Sequence, residues 1–412
     1  MWRRQCRKDG EKHMIQKIRQ VLVFMMRLLP LQKIIVFESH PDLSDNSYAL
    51  YQELIRRGVH KRYRMYWIQT FHDEKRHELP EHVSMIQKEP ATFSESMKRA
   101  FVLNCCRCII DCNSFIYKRR NKQIRIHLGH GMPIKMDLEY SRKFGDCDKY
   151  MVQSEFWKDI YTKEIHVPEE RLCYAGYPRN DVLVNPVPCE RWQASVRSYR
   201  KIMIWMPTYR QHRLHRENEM QNEYPYGMPS VHDRSEMEKL QEVCKRENVL
   251  LLFRPHPVQE LSLFENQSFS HIIIADDQYL ETYGITLYEL LGHTDALITD
   301  YSSVYFDYLL TDRPIALTIE DKDFYFQYFT LAFSDYKAFI KGDYVESFEE
   351  LLKFIRAVSA GTDEYRAARM QAKEMFHNDV SGTSAVKIAD MLRDEYGIRG
   401  MDLQNLHKYS KN

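Results

Sequence analysis

The chain has 412 residues, enough for two domains with full cores. Its 59 basic side chains nearly cancel its 58 acidic ones, so global charge gives no reason to expect a nucleic-acid partner. The 44% apolar content fits a globular protein, yet no apolar run is long enough to span a bilayer and no signal-peptide cleavage pattern appears.

Residues 1–30 form the first predicted element, a basic amphipathic helix. Arg3, Arg4, Arg7, Lys8, Lys12, Lys17, Arg19 and Arg27 outnumber Asp9 and Glu11, while Ile15, Ile18, Leu22, Met25, Met26 and Leu29 recur at helical spacing. Such a helix lies on an anionic membrane surface or packs on its own domain with the basic face in water. Pro30 closes it. From Lys33 the pattern is strand then helix: Ile34–Phe37 a strand, Asn46–Arg57 a helix, Arg64–Ile68 a strand, a further strand within Ala100–Ile110, and Ile124–Leu128 leading into Gly129. Cys105, Cys106, Cys108 and Cys112 cluster at the fourth of these. Cys105 and Cys108 make a CxxC pair without the second half-site that zinc needs, so they read as small core residues and no metal site is expected. The nine cysteines show no disulfide framework, and reduced thiols point to a cytosolic setting.

A second series begins after Asn185-Pro186-Val187-Pro188, which reads as a linker. Ile202–Met206 is a strand, 211–235 an irregular loop, Glu236–Arg246 a helix, and Val249–Phe253, Ile272–Ile274, Ala296–Ile298 and Pro314–Leu317 are strands. Ser384–Tyr396 reads as a helix that packs back on one domain. Short apolar strands alternating with helices predict an α/β fold with parallel sheets covered on both faces. Two doubly wound halves would face a shared cleft, with ligands at the carboxyl ends of the strands. The predicted units are 1–30, 31–185, 200–383 and 384–412.

Every strong polar motif sits where a strand runs out. His130-Gly131-Met132-Pro133-Ile134-Lys135, after the Ile124–Leu128 strand, and Gly176-Tyr177-Pro178-Arg179-Asn180-Asp181, after a short strand around Leu172–Ala175, lie in the first half. Pro207-Thr208-Tyr209-Arg210, Arg254-Pro255-His256-Pro257 and Ile298-Thr299-Asp300-Tyr301-Ser302-Ser303 lie in the second. The last turns from a strand into a helix, where Ser302 and Ser303 either cap the helix or donate to a phosphate oxygen. Arg210 and Arg254 suit bidentate pairing with phosphate. His130 and His256 offer a general base or a cationic donor near neutral pH. Asp300 and Asp307 are read as buried hydrogen-bonding groups before ion ligands. No P-loop, G-x-S-x-G or H-E-x-x-H segment is present, which disfavours kinase and hydrolase readings.

In this order and over about residues 33–390, these segments resemble the CDP-glycerol glycerophosphotransferases of teichoic-acid and capsule synthesis. The likeness rests on His130–Lys135, Gly176–Asp181, Pro207–Arg210, Arg254–Pro257 and Ile298–Asp307, with Phe37-Glu38-Ser39 and Asp45-Asn46 ahead of them. It implies a GT-B-type enzyme of two Rossmann-like domains, the first for the acceptor and the second for the CDP-linked donor. Glycerol phosphate, or a related polyol phosphate, would pass from CDP-glycerol or CDP-ribitol to a hydroxyl of a lipid-linked acceptor, releasing CMP. The resemblance implies His130 as general base and His256 as the second catalytic histidine, at the donor's diphosphate. Arg210, Arg254, Thr299, Asp300, Ser302 and Ser303 would bind the donor, and Lys135, Arg179, Asn180, Asp181 and Thr208 would line the acceptor side or the cleft. No resident cofactor is implied. A peripheral position on the cytoplasmic face of the cell membrane is expected, and homo-oligomerisation is left open. The family's pattern is altered at Met132 (usually Thr), Tyr209 (usually Trp) and Lys322 (near a usual Arg-Gly). The alternative is a GT-B glycosyltransferase using a UDP- or GDP-sugar.

Overall fold

The computed structural model describes residues 2–70, 79–113, 116–134, 146–208, 224–256, 264, 269–326, 330, 332–333 and 335–400, with side chains in the first helix described at Met14 and from Gln16 on. Helix α1 (Trp2–Leu28) leads into a sheet of seven strands. These are β1 (Ile34–Glu38), β2 (Arg64–Gln69), β3 (Val83–Gln87), β4 (Cys108–Asp111), β5 (Ile124–His127), β6 (Lys149–Met151) and β7 (Leu172–Cys173). Their order is β3-β2-β1-β4-β5-β6-β7, with every pairing parallel. A second sheet holds β8 (Lys201–Trp205), β9 (Val249–Phe253), β10 (Ile272–Ile274), β11 (Ala296–Thr299), β12 (Ile315–Thr318) and β13 (Asp343–Val345), in the order β10-β9-β8-β11-β12-β13. It too is parallel throughout. Counted from its own first strand, the second sheet repeats the order of the first six strands of the first.

This order places a switch point between β1 and β4 and another between β8 and β11, where connections leave in opposite directions and a crevice opens at the strand ends. The registers Val36↔Ile109 and Ile204↔Leu297 run across the two switch points. The expected α/β architecture of two doubly wound halves is the one observed. Strands β3, β6 and β13 are not among the predicted elements; of the irregular stretch expected over 211–235, residues 211–223 lie outside the described residues, and 224–233 are turns and irregular backbone before a helix starts at Arg234.

Local chemistry sets the helix ends. Thr92 and Glu95 form a capping box at the start of α3 (Phe93–Cys105). Asp233 caps the helix Arg234–Glu247, which stops at Asn248 in the left-handed conformation. The four clustered cysteines are buried and unpaired with one another, as small core residues should be.

Two features join the halves. One core contains Trp157 and Tyr177 of the first half with Leu297 and Phe306 of the second. Trp157 meets Phe306 edge-on at 5.0 Å, and Phe376 meets Phe306 at 4.8 Å. The helix Ser384–Asp394 then returns to the first half, where Ile388 and Leu392 share a core with Phe37, Leu50 and Leu54 of β1 and α2 (Asp45–Arg56).

Candidate active site

The first switch point carries His130. After β5 the chain turns at Gly129, whose φ of +70° suits glycine and whose missing Cβ leaves room for the Tyr177 hydroxyl. Asn46 Nδ2 donates to the Gly129 carbonyl at 2.8 Å, and Tyr177 Oη donates to the Gly131 carbonyl at 3.0 Å. The turn is therefore held on both sides of His130. The His130 Nδ1 lies 3.2 Å from the carbonyl of Cys112, the residue after β4. A carbonyl only accepts, so Nδ1 carries the hydrogen and Nε2 keeps its lone pair. Desolvation lowers the His130 pKa from its ordinary 6.5. Asp45 and the Cys112 carbonyl oppose that shift, while Arg179 and His127 add to it. The shift favours the neutral imidazole, which stands at the crevice edge with Nε2 on the side of the ring away from the Cys112 anchor.

Beneath this turn lies a buried ion network. Alternation in Ile124-Arg125-Ile126-His127 sends the isoleucines into the core beside α2 and leaves Arg125 and His127 on the other face, with Asp111. Arg125 forks onto Asp111, with Nη2–Oδ2 at 2.9 Å and Nε–Oδ1 at 3.3 Å, and also pairs with Asp146. Arg125, His127 and Asp111 are all buried. The Asp111 pKa is lowered: burial raises it, but His127 and Arg125 outweigh burial.

The second switch point is built from hydroxyls and amides. Buried Asp300 accepts from the Thr208 amide at 2.9 Å, the Thr208 hydroxyl at 3.0 Å and the Tyr301 amide at 2.6 Å. Thr299 Oγ1 donates to the Met206 carbonyl at 2.7 Å. These bonds tie the end of β8 to the end of β11, so Thr208, Thr299 and Asp300 shape the turn. Ser302 and Ser303 follow, half-buried, ahead of the helix Val304–Tyr308. Ser303 makes no side-chain cap, and Ser302 Oγ accepts only a long 3.5 Å bond from the Val304 amide. Of the two roles open to these serines, capping is thus little used. The two switch points meet here: a Cβ added to Gly131 would lie 2.5 Å from Ser303 Oγ and 3.1 Å from Ser303 Cβ.

The remaining predicted residues divide. Arg254 Nη1 donates to the Ala275 carbonyl at 2.9 Å and Nη2 pairs with Asp277, so its fork is engaged within its own half. His256, two residues on, is exposed at the end of β9. Arg179 and Asn180 are buried against Asp307: Arg179 Nη2 reaches Oδ2 at 2.7 Å and Asn180 Nδ2 reaches Oδ1 at 2.7 Å. Asp181 instead accepts from the amides of Ser384 and Ala385 at 2.8 and 2.9 Å, capping the last helix. Lys135 and Arg210 lie outside the described residues, as does Tyr209. Met132 is buried in the shared core, so its departure from Thr is met by packing. Among the described residues no three His, Cys, Asp or Glu side chains group to hold a metal ion.

Sequence reasoning left three contributors without a role: Asp45, Tyr177 and Tyr288. Tyr288 Oη donates to Asp307 at 2.6 Å. Asp45 stands before a helix, which signals a cap, and nothing local in the sequence signals its ion pair with Arg179 at 2.7 Å.

Comparison with known proteins follows the same lines. The sequence model described as CDP-Glycerol:Poly(glycerophosphate) glycerophosphotransferase matches residues 21–393. The chain is similar to a teichoic acid glycerol-phosphate transferase of Staphylococcus aureus, 23% identical over 89% of this chain and 95% of that one. It is also similar to the teichoic acid ribitol-phosphate polymerase TarL of the same organism, 22% identical over 76% of this chain and 54% of that one. It therefore spans about half the length of the second relative. Its fold resembles the solved wall teichoic acid polymerase TagF, with a TM-score of 0.71 and 20% identity over 96% of this chain and 98% of that one.

Proposed function

The chain belongs to the CDP-glycerol:poly(glycerophosphate) glycerophosphotransferase family, and from that membership and the geometry at His130 we propose that it transfers a polyol phosphate from a CDP-linked donor to a hydroxyl. His130 Nε2 takes the proton of the acceptor hydroxyl. The freed oxygen bonds to the phosphorus that carries the polyol. The bond from that phosphorus to the bridging oxygen breaks, and CMP leaves with the electron pair. In-line transfer of this kind needs a base on one side and charge-stabilising donors on the other. Ser302 and Ser303 supply donors across the crevice, and His256 is assigned to the donor's diphosphate from its place in the family's motif. Thr208, Thr299 and Asp300 hold that turn in shape.

The observation that carries the reading is the Nδ1–Cys112 bond, which leaves a neutral, basic Nε2 within the turn that abuts Ser303. The test is CMP release from CDP-glycerol and CDP-ribitol, each with a lipid-linked acceptor analogue, beside UDP- and GDP-sugars. Release of CMP from one CDP-polyol supports the reading and names the donor. Reaction with a nucleotide sugar alone transfers the fold to the glycosyltransferase alternative. The His130→Ala variant should lose turnover and still bind the donor, and full turnover in it removes His130 as the base.

Helix α1 supports a place at the inner membrane surface. Leu22, Val23 and Met26 are half-buried beside α3, while Met14, Ile18, Val21, Met25 and Leu28 form an exposed stripe at helical spacing, next to Lys17. An apolar stripe among basic residues suits an anionic bilayer surface. No helix among the described residues is long and apolar enough to cross a membrane. Co-sedimentation with anionic vesicles should require residues 1–30, and equal binding without them removes the helix from this role.

A further inference from the structure

Arg179 sits where the two halves meet, and its contacts run into both candidate turns. The guanidinium Nη1 donates to Asp45 Oδ1 at 2.7 Å, at the start of α2 in the first half. Nη2 donates to Asp307 Oδ2 at 2.7 Å, on the helix that follows Ser302 and Ser303 in the second half. The Arg179 main-chain amide donates to Asn46 Oδ1 at 3.1 Å, and Asn46 holds the carbonyl of Gly129, the residue before His130. The guanidinium lies 4.6 Å from the Tyr288 ring and 5.4 Å from the Tyr177 ring. Tyr288 Oη and Asn180 Nδ2 fix the Asp307 carboxylate from other sides.

The first-half end of this bridge is conformationally strained. Leu43 and Asp45 have φ of +53° and +61°, a region that side-chain-bearing residues seldom occupy. Such a conformation persists where its surroundings over-determine it, which functional sites do. Here the Arg179 pair pins the Asp45 side chain. Moreover, the spacing that the bridge spans is tight, since Gly131 approaches Ser303 too closely to admit a methyl group without a shift.

We infer that Arg179 is a positioning residue for the transfer step: by joining Asp45 to Asp307 it sets the distance between the His130 turn and the Ser302–Ser303 turn. It touches neither substrate in this role. The inference rests on the proposed part of His130 as base. The task needs a planar fork, because two carboxylates on different halves must be met at once. A lysine keeps the charge but offers a single nitrogen on a flexible stem.

The test compares the full-length wild type with Arg179→Lys, Asp45→Asn and His130→Ala. Asn tolerates the left-handed conformation, so Asp45→Asn removes charge without changing the backbone demand. Circular dichroism checks folding, calorimetry follows CDP-glycerol binding, CMP release gives kcat and KM, and small-angle scattering reports the spacing of the halves. Arg179→Lys should bind donor normally and keep its KM, with kcat down about 100-fold, the scale of a ~1 Å misplacement. Its scattering profile should differ from the wild type, while that of His130→Ala should not. Wild-type kcat in Arg179→Lys overturns the inference, as does, in folded protein, a kcat that falls only together with weakened donor binding and a raised KM. Should Arg179→Lys not fold, Asp45→Asn decides on the same split: lowered kcat with full donor binding supports the bridge, and wild-type kcat overturns it. Should His130→Ala keep its turnover, the base assignment fails by itself. The scattering comparison still judges the bridge: a changed Arg179→Lys profile supports it and an unchanged one overturns it.

Discussion

The two sheets share a strand order and differ in what they bury. In the second, Val249–Phe253 is apolar and fully buried along its length, and Leu297 and Ile298 in the neighbouring β11 are too. That is the pattern for a parallel strand covered on both faces. The first sheet breaks it, because Glu38, Asp111, Arg125 and His127 are all buried at or near strand ends. The difference lies under the crevice. A titratable imidazole stands above a buried ion network in the first half, and in the second hydroxyls and amides gather round one buried carboxylate, Asp300. On the function proposed above, one scaffold used twice would offer a proton acceptor on one side and an anion-holding turn on the other.

The largest expected effect comes from breaking the charged network. Arg125→Met keeps the volume and removes the guanidinium from Asp111 and Asp146, leaving only His127 beside buried Asp111, so unfolding free energy should fall by about 3–5 kcal/mol. Denaturant titration measures it. A loss well under that range would mean that water already reaches Asp111, and the contrast between the two sheets would weaken. Next comes the line where the halves touch. In Gly131→Ala the new methyl must displace Ser303 Oγ, with Ser303 Cβ leaving little slack at 3.1 Å. Turnover should drop about 100-fold, as a misplacement near 1 Å would do, while the melting temperature changes little. Unchanged turnover would show that the two turns act independently.

Much of this arrangement is legible in the sequence. Apolar runs mark ten of the thirteen strands among the described residues, and the polar motifs sit at strand ends because that is where a doubly wound sheet opens to ligand. β6 and β13 escape because Lys149-Tyr150-Met151 and Asp343-Tyr344-Val345 are short and open on a charged residue, unlike the all-apolar Ile272–Ile274, and β3 escapes because Val83-Ser84-Met85-Ile86-Gln87 mixes polar with apolar. Pairings over long separations escape for a different reason. The partners of Arg179 stand 134 and 128 residues away, at Asp45 and Asp307, and no local rule joins them. Arg254 shows the same limit from the other side: a strand-end arginine suggests phosphate, and nothing in its own segment signals the contacts it makes with Ala275 and Asp277.

The titration of His130 sharpens the comparison by assigning the acid limb of activity to the first half. Its pKa is lowered from 6.5, with desolvation the largest cause. As the proposed base, His130 therefore keeps its lone pair to lower pH than a free imidazole, and the acid limb of kcat/KM should lie below 6.5. Stability has the same sign. The unfolded chain binds the proton at higher pH than the folded one, so this histidine opposes folding only as pH drops below 6.5. A limb above 6.5 would mean that the imidazole is stabilised as a cation, and the division of labour between the halves would have to be redrawn.

The smallest expected effect tests how finely the Gly176–Asp181 segment divides its work. Arg179 bridges the halves, Asn180 fixes Asp307, and Asp181 turns away to cap the helix Ser384–Asp394. That helix covers α2 in the first half alone, through Ile388 and Leu392. Asp181→Ala should therefore remove one cap, about 1 kcal/mol of stability, and leave kcat and donor KM as they are. Neighbours in sequence would then differ in kind: Arg179 altering turnover with donor binding intact, Asp181 altering stability with turnover intact. If Asp181→Ala instead lowers kcat at full folding, the last helix bears on the crevice through α2 and Asp45, and the cap belongs with the machinery that places His130.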